Sequence, residues 1–183
     1  ITTEVCTTYT QDGKDAVVKM IESDVQNAIK HVEDLTGNKF NDAENPLLVS
    51  VRSGARASMP GMMDTVLNLG MNDTVAEALA RKSGNARFAW DSYRRFVQMY
   101  GDVVLGMKPK NKTDIDPFEE IMEAVKEEKG VKLDTELDVD DLKKLVKLFK
   151  EAVLKSTGRD FPESAWEQLW GGICAVFDSW MNE

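Results

Sequence analysis

Apolar residues recur every three or four positions along most of this chain, which is the spacing of one buried face on an α-helix. The clearest case runs from Asp15 to Thr36, and the Gly37-Asn38 pair that follows it is a typical helix stop. The same spacing predicts six further helices: about Thr3–Thr10, Thr74–Lys82, Arg87–Tyr100, Asp116–Lys129, Asp138–Thr157 and a last one that opens at Phe161-Pro162 and carries three tryptophans.

Two short apolar runs break the helical spacing. Leu47–Val51 follows Pro46 and has the length of a strand, and Val66–Leu69 is a second β-type run that ends at Gly70. Residues 40–45 between the long helix and the first run are predicted to be a polar connector. Because two strands alone do not make a stable sheet, we expect further strands from outside this chain or from another copy of it.

The pattern therefore predicts an α+β fold that is mostly α-helical. Residues 1–73 form one α/β unit, residues 74–157 form an inserted helical subdomain, and residues 158–183 return to the first unit. Both ends of the chain, Ile1 without an initiator Met and the apolar helix near Glu183, suggest a piece of a larger protein.

Composition narrows the classes of function. Of the 183 residues, 42% are hydrophobic and 30% charged, and no apolar run approaches the roughly 20 residues of a membrane span. A net charge of −9 argues against a general nucleic-acid binder but leaves room for a local cationic pocket. Cys6 and Cys174 match no metal or redox spacing and are expected to be reduced thiols. The single histidine, His31, provides neither a catalytic triad nor a histidine-based zinc site.

The loop between the two predicted strands is too rich in polar groups for a simple turn. It holds two arginines, two glycines, three hydroxyls and one carboxylate: Arg52, Ser53, Gly54, Arg56, Ser58, Gly61, Asp64 and Thr65. Arg52 leaves the end of a strand, where its guanidinium is suited to a bidentate grip on phosphate or carboxylate. The glycines let backbone N–H groups approach an anion, and Asp64 could orient an arginine or join a magnesium shell.

Two interpretations of this loop stay open on residue chemistry alone. One is a phosphate-binding loop, although it is not a P-loop, because no Gly-Lys-Ser/Thr follows the glycines. The other is a structural hairpin whose Arg52 pairs with an acidic neighbour.

The helix predicted for Arg87–Tyr100 carries a broad aromatic stripe. Its members are Phe88, Trp90, Tyr93, Phe96, Val97 and Tyr100, and such a stripe is more often core than a platform for stacking bases. Arg94 and Arg95 project about 100° apart on a helix, so at most one of them can follow the edge of the stripe toward a site.

Four segments resemble the nucleotide-binding domain of the pyruvate, phosphate dikinase family. They are LLVSVRSGARASMPGMMDTVLNLGMND, NARFAWDSYRRFVQMYGDVV, EEKGV and AVFDSWMNE, and the resemblance extends over most of the chain. Related phosphoenolpyruvate synthases carry a VRSSA-type sequence at the equivalent place. Gly54 and the run Ser58–Met63 favour the dikinase.

The resemblance implies part of an ATP-grasp-like domain with an inserted helical subdomain. The family converts ATP, inorganic phosphate and pyruvate to AMP, pyrophosphate and phosphoenolpyruvate with magnesium. Its partner in phosphoryl transfer is a phosphohistidine on a swivelling domain of the same full-length chain. The resemblance further implies that the full-length protein is a homodimer located in the cytoplasm, or in an organelle of a eukaryote. It also implies that the Mg²⁺ ligands lie outside this chain and that this chain alone should be inactive.

The resemblance also implies roles for individual residues. Arg52 matches the family's ATP-phosphate arginine, and Arg95 matches the second arginine of the SYRRF motif at the phosphate end of the site. Both are predicted to be catalytic, and none of the candidates is a metal ligand. The predicted nucleotide-binding residues are Arg52, Ser53, Gly61, Asp64, Thr65 and Arg95. The alternatives are a phosphoenolpyruvate synthase-like dikinase and a non-catalytic helical interaction module.

Overall fold

A computed structural model describes residues 1–54, 65–109, 111 and 114–180. Within these ranges the chain forms seven α-helices and four short β-strands, so the predicted mostly helical α+β class is confirmed. In chain order they are α1 (Thr3–Asp12), α2 (Lys14–Thr36), β1 (Lys39–Phe40), β2 (Pro46–Leu47), β3 (Val49–Val51), β4 (Val66–Leu69), α3 (Asp73–Ser83), α4 (Ala86–Val103), α5 (Pro117–Lys129), α6 (Val139–Thr157) and α7 (Ala165–Ser179).

The strands differ from the predicted single pair. The run Leu47–Val51 is divided, because β2 pairs in parallel with β1 while β3 pairs antiparallel with β4 across a bulge. Phe40, predicted to open a polar connector, is instead a buried residue of β1 whose ring packs edge-on against Trp166 of α7, 5.1 Å away. A strand of two residues is too short to show the alternation of apolar and polar residues by which strands are recognised in a sequence.

Several helix ends are stabilised by local side-chain and backbone chemistry. The side chains of Asn72, Asp116 and Asp138 accept hydrogen bonds from first-turn N–H groups of α3, α5 and α6. Gly37 and Gly158 end α2 and α6 in the left-handed conformation that a residue without Cβ adopts easily.

The predicted start of the last helix was wrong. α7 begins at Ala165 with Ser164 as its cap, and Phe161 lies before it in a buried position. The Phe161 ring packs against Phe96 and Tyr100 of α4, with centroids 5.8 and 5.5 Å apart. Residues 161–164 therefore form a segment that packs on α4 before the helix begins, and they are not its first turn.

The aromatic stripe of α4 forms core, with one exception. Trp90, Tyr93, Phe96 and Tyr100 are buried, whereas Phe88 is 51% exposed. At 100° per residue, Phe88 lies about 140° from Tyr93 around the helix, so it belongs to the opposite face. Including Phe88 in the stripe was wrong for that geometric reason.

One polar side chain inside the core ties β4 to α7. Gln168 is fully buried, and its Nε2 donates to the carbonyl oxygens of Met71 and Pro162, each 2.8 Å away. Its Oε1 accepts from the N–H of Gly70, also at 2.8 Å. The amide is thus satisfied while it fixes the turn between β4 and α3 against the start of α7.

The Gly171-Gly172 pair of α7 permits a close approach of α4 at one of its two positions. A Cβ at Gly171 would lie 2.0 Å from the hydroxyl oxygen of Tyr100, whereas a Cβ at Gly172 would meet its nearest atom, of Leu69, at 3.5 Å. Helices α7 and α4 therefore touch at Gly171, where only a hydrogen fits.

Replacing Gln168 by leucine should destabilise the fold by about 3 kcal/mol, because one buried N–H and two carbonyls lose their partner. Urea unfolding of the chain measures this change. The matched Gln26→Leu substitution on the exposed surface of α2 should change the free energy of unfolding by less than about 0.5 kcal/mol. Equal effects of the two substitutions would contradict the role given to Gln168.

Gly171→Ala should also destabilise the chain, by about 1–3 kcal/mol, because the methyl group displaces the Tyr100 hydroxyl. Gly172→Ala meets only ordinary contacts and gains helix propensity, so its stability should be equal or higher. Thermal unfolding of the two variants side by side checks this. A Gly171→Ala protein at least as stable as Gly172→Ala would contradict the close contact.

Candidate functional site

The open end of the β3–β4 hairpin carries the first candidate residues. Val51 pairs with Val66, so the next residues outward, Arg52 and Thr65, emerge from neighbouring strands at the same end. Both are exposed. Two other predicted site residues, Gly61 and Asp64, belong to residues 55–64 and lie outside the described residues.

Arg52 stands at the rim of a cavity of about 410 Å³. The rest of the wall is mainly apolar and comes from α1, α2, β3 and α7, with Val51, Ile173 and Phe177 among its residues. In the described part of the chain no carboxylate forms an ion pair with Arg52, so the hairpin interpretation, in which Arg52 pairs with an acidic neighbour, finds no partner there. As far as the described residues are concerned, the guanidinium is available to an anionic ligand.

Ser53 is held by a residue that the sequence did not reveal. Its Oγ accepts a hydrogen bond of 2.9 Å from Nε1 of Trp180, just beyond α7. Because the hydroxyl accepts here, its own hydrogen stays available to donate. A contact between positions 127 residues apart leaves no local signal in sequence.

Helix α1 holds the end of α7 in place. The hydroxyl of Tyr9 donates to Oδ1 of Asp178 at 2.8 Å, and the Tyr9 and Phe177 rings are 5.0 Å apart. Burial, together with the Asp178 carboxylate, raises the pKa of Tyr9 above its ordinary value. Tyr9 therefore stays a neutral donor, and the position of Trp180 next to Ser53 follows from this contact.

The two consecutive arginines of α4 have different surroundings. The side chain of Arg94 is 5% exposed, and that of Arg95 is 65% exposed, although both bind the carboxylate of Asp91. Only Arg95 can therefore reach a ligand from solvent.

Arg95 and Arg52 are carried by elements that meet at β4. The sulfur of Met99, one helical turn beyond Arg95, lies 3.3 Å from the backbone nitrogen of Leu67 in β4. β3, which leads into Arg52, is paired with that same strand. The structure thus brings Arg52 and Thr65 to one end of the hairpin and sets Arg95 on the helix beside it.

Two thiols and one carboxylate outside the set of candidate residues also have raised pKa values. Cys6 and Cys174 are free, buried thiols whose pKa values are raised by burial. Burial, with a smaller effect from Asp116, raises the pKa of Asp102 near the end of α4 to about 6, and one buried oxygen of Asp102 has no hydrogen-bond partner. In the described ranges no three His, Cys, Asp or Glu side chains are grouped as metal ligands. Nor is any helix there long and apolar enough to cross a bilayer.

Comparison with known proteins defines the class of this domain. Residues 6–183 match the family described as "Pyruvate phosphate dikinase, AMP/ATP-binding domain". The chain is 55% identical over its whole length to the pyruvate, phosphate dikinase of Clostridium symbiosum and 49% identical to that of Rhizobium meliloti, covering 20% of each. It is 49% identical over 98% of its length to the chloroplastic pyruvate, phosphate dikinase 1 of Arabidopsis thaliana, covering 18% of it.

The chain belongs to the pyruvate, phosphate dikinase family, in its AMP/ATP-binding domain. It spans about a fifth of the length of the curated relatives that it matches. The resemblance inferred from VRSGA and SYRRF is therefore confirmed, as is its ATP-grasp-like class.

Asp102 gives a pH-dependent prediction. Its folded pKa of about 6 lies above the ordinary value of 3.8, so the folded state binds the proton more tightly than the unfolded state. Stability from this group is full below about pH 4 and is lost as the pH rises through about 6. Asp102→Asn should therefore raise the melting temperature by about 2–4 °C near pH 7.5 and change it little near pH 4.

Differential scanning calorimetry at both pH values measures this shift. Asp24→Asn, at an exposed position of α2, is the matched control and should show no such dependence. An Asp102→Asn gain that is equal at the two pH values would contradict the assignment.

Proposed function

We propose that this chain forms one wall of the ATP-phosphate site in a pyruvate, phosphate dikinase. The whole enzyme would convert ATP, inorganic phosphate and pyruvate to AMP, pyrophosphate and phosphoenolpyruvate. The observation that carries the proposal is Arg52, which stands exposed at the end of β3 and opposite Thr65, in a chain of an AMP/ATP-binding family.

Arg52 would hold and polarise the phosphate that is transferred or departs. Phosphoryl transfer is catalysed mainly by positioning and by neutralisation of charge on the phosphate oxygens. A guanidinium suits this task, because its planar fork matches two phosphate oxygens and it stays charged at any physiological pH. Pairing of β3 with β4 holds the backbone from which Arg52 projects.

The other candidates would complete this wall. Arg95 would anchor the terminal phosphate of ATP or the incoming inorganic phosphate. Ser53 and Thr65 would donate hydroxyl hydrogens to phosphate oxygens, and Trp180 keeps Ser53 in place. Gly61 and Asp64 lie outside the described residues, and the proposal that they bind the nucleotide rests on the family resemblance.

Magnesium would be held mainly by groups outside this chain. The described candidates are arginines and hydroxyls, whereas Mg²⁺ prefers carboxylate, water and phosphate oxygens in octahedral geometry. This set therefore fits a phosphate group and not a metal ion.

The remaining parts of the reaction would come from the full-length protein. A phosphohistidine on a swivelling domain would receive the phosphoryl group, and the full-length chain would form a homodimer in the cytoplasm, or in an organelle of a eukaryotic source. The relative from Mesembryanthemum crystallinum is named chloroplastic. Within this chain, residues 74–157 would be the inserted helical subdomain, consistent with the packing of α5 on α6 through Phe118 and Phe149, whose rings are 4.9 Å apart.

Arg52→Ala in the full-length enzyme should lower kcat by about 10²–10³-fold, the loss expected for one electrostatic donor at a transition state. Arg52→Lys should recover only part of it, since an ammonium keeps the charge but loses the fork. Arg159→Ala, at an exposed position after α6, is the matched control and should leave turnover unchanged.

The assay is pyrophosphate formation that depends on added inorganic phosphate. A phosphoenolpyruvate synthase-like enzyme would release orthophosphate instead and would contradict the proposed reaction. Near-normal turnover of Arg52→Ala would contradict the role of Arg52 even if the reaction is the one proposed.

A further inference from the structure

Helix α4 carries a connected group of four polar side chains at helical spacing: Asp91, Arg94, Arg95 and Gln98. We propose that Asp91 is a positioning residue that orients Arg95 toward a phosphate group, and that Arg94 and Gln98 hold Asp91 for this task. The inference rests on the proposed function, because it assigns Asp91 a part in the same site.

Arg94 makes its polar contacts within α4. Its Nε and Nη2 bind Oδ1 of Asp91 at 3.1 and 2.8 Å, and its Nη1 donates to Oε1 of Gln98 at 3.3 Å. With its side chain 5% exposed, Arg94 needs these partners, because a buried charge without them is costly. Arg94 thus fixes the Asp91 carboxylate, and each of its three nitrogens already has a partner within the protein.

Asp91 uses its other oxygen for Arg95. Oδ2 of Asp91 lies 3.0 Å from Nε of Arg95, while the side chain of Asp91 is only 17% exposed. Each oxygen of this carboxylate is thus given to a different arginine. The buried arginine holds the carboxylate, and the carboxylate holds the exposed arginine.

The contact through Nε determines which nitrogens of Arg95 remain for binding a ligand. Neither terminal nitrogen of Arg95 binds another residue in the described part of the chain, and its side chain is 65% exposed. Because the guanidinium is planar, fixing Nε also fixes the directions of the two terminal NH₂ groups. Those two groups form a fork that can bind two oxygens of one phosphate.

Stability alone does not account for this arrangement. An ion pair with one partner mostly in solvent contributes little to folding, since water screens it and the side chain loses freedom. The same loss of freedom helps a binding site, because a side chain that is already ordered loses less entropy when the ligand arrives. The arrangement therefore favours a role in ligand binding.

A double-mutant cycle in the full-length enzyme tests the inference, with the KM values of ATP and inorganic phosphate and kcat measured for each variant. Arg95→Ala identifies which of the two ligands depends on Arg95, as the one whose KM rises. Asp91→Asn should raise that same KM by about 5- to 20-fold, the range for one hydrogen bond to a charged group, with a smaller change in kcat. In the Arg95→Ala background, Asp91→Asn should produce no further rise.

The cycle separates failure of the inference from failure of the proposed function. If Arg95→Ala leaves both KM values and kcat unchanged, the proposed role of Arg95 fails. If Arg95→Ala raises a KM but Asp91→Asn does not, or if Asp91→Asn acts equally in both backgrounds, the positioning role is overturned and the site stands.

Two further variants distinguish a loss of positioning from a general effect on folding. Glu128→Gln removes an exposed ion pair with Lys144, 2.6 Å long, on another part of the surface and should leave every kinetic constant unchanged. If Asp91→Asn alone does not fold, Arg94→Met removes the buried charge, and the same cycle is run in the Arg94→Met protein. If Asp91→Asn raises the KM in the Arg94→Met protein and raises it equally after Arg95→Ala is added, the inference is overturned.

Discussion

The buried amide of Gln168 is the interaction on which the rest of this structure depends. It joins the turn after β4 to α7 through two hydrogen bonds of 2.8 Å, with Gly70 and Met71, and a third of the same length holds Pro162 just before α7. A two-stranded hairpin has little stability in water by itself, so β3 and β4 need a fixed surface to lie on. α7 provides that surface, and the amide sets its register against the hairpin. Arg52 and Thr65 emerge from the strands that this contact holds.

The far end of α7 fixes the same site from the other side. Trp180 holds Ser53, and Tyr9 holds Asp178, so the residue that follows Arg52 is tied to the end of α7 that α1 keeps in place. The chain carries a net charge of −9, which repels phosphate at long range. Binding of a nucleotide must therefore rely on cations placed within a few ångströms of it, since salt screens more distant charges. A rigid frame around a few arginines meets that requirement.

Local sequence was enough to predict much of the fold. Helical spacing located most helices within a few residues, because it is a local signal that repeats over successive turns. The caps Asn72, Asp116 and Asp138 act equally locally, each on the first turn of its own helix. The two-residue strands β1 and β2 were missed, because pairing over so short a length depends on what packs against Phe40 and Leu47. The late start of α7 was missed for a similar reason, since Phe161 is placed by rings from α4.

The candidate site was predictable only in part. The role of Arg52 in phosphate binding was suggested by its place at the end of a strand. The role of Arg95 was suggested by the likeness of SYRRF to a family motif. The roles of Gln168 and Trp180 depend on contacts across 97 and 127 residues, for which a single sequence has no pattern. The difference between Arg94 and Arg95 also needed the structure, because spacing shows that they diverge but not which one is buried.

The most direct test of the account is a crystal structure of the full-length protein with a non-hydrolysable ATP analogue. The account predicts that the guanidinium nitrogens of Arg52 and the terminal nitrogens of Arg95 lie about 3 Å from phosphate oxygens. Nε of Arg95 should remain on Asp91. An analogue whose phosphates bind elsewhere, with Arg52 and Arg95 both left in solvent, would contradict it.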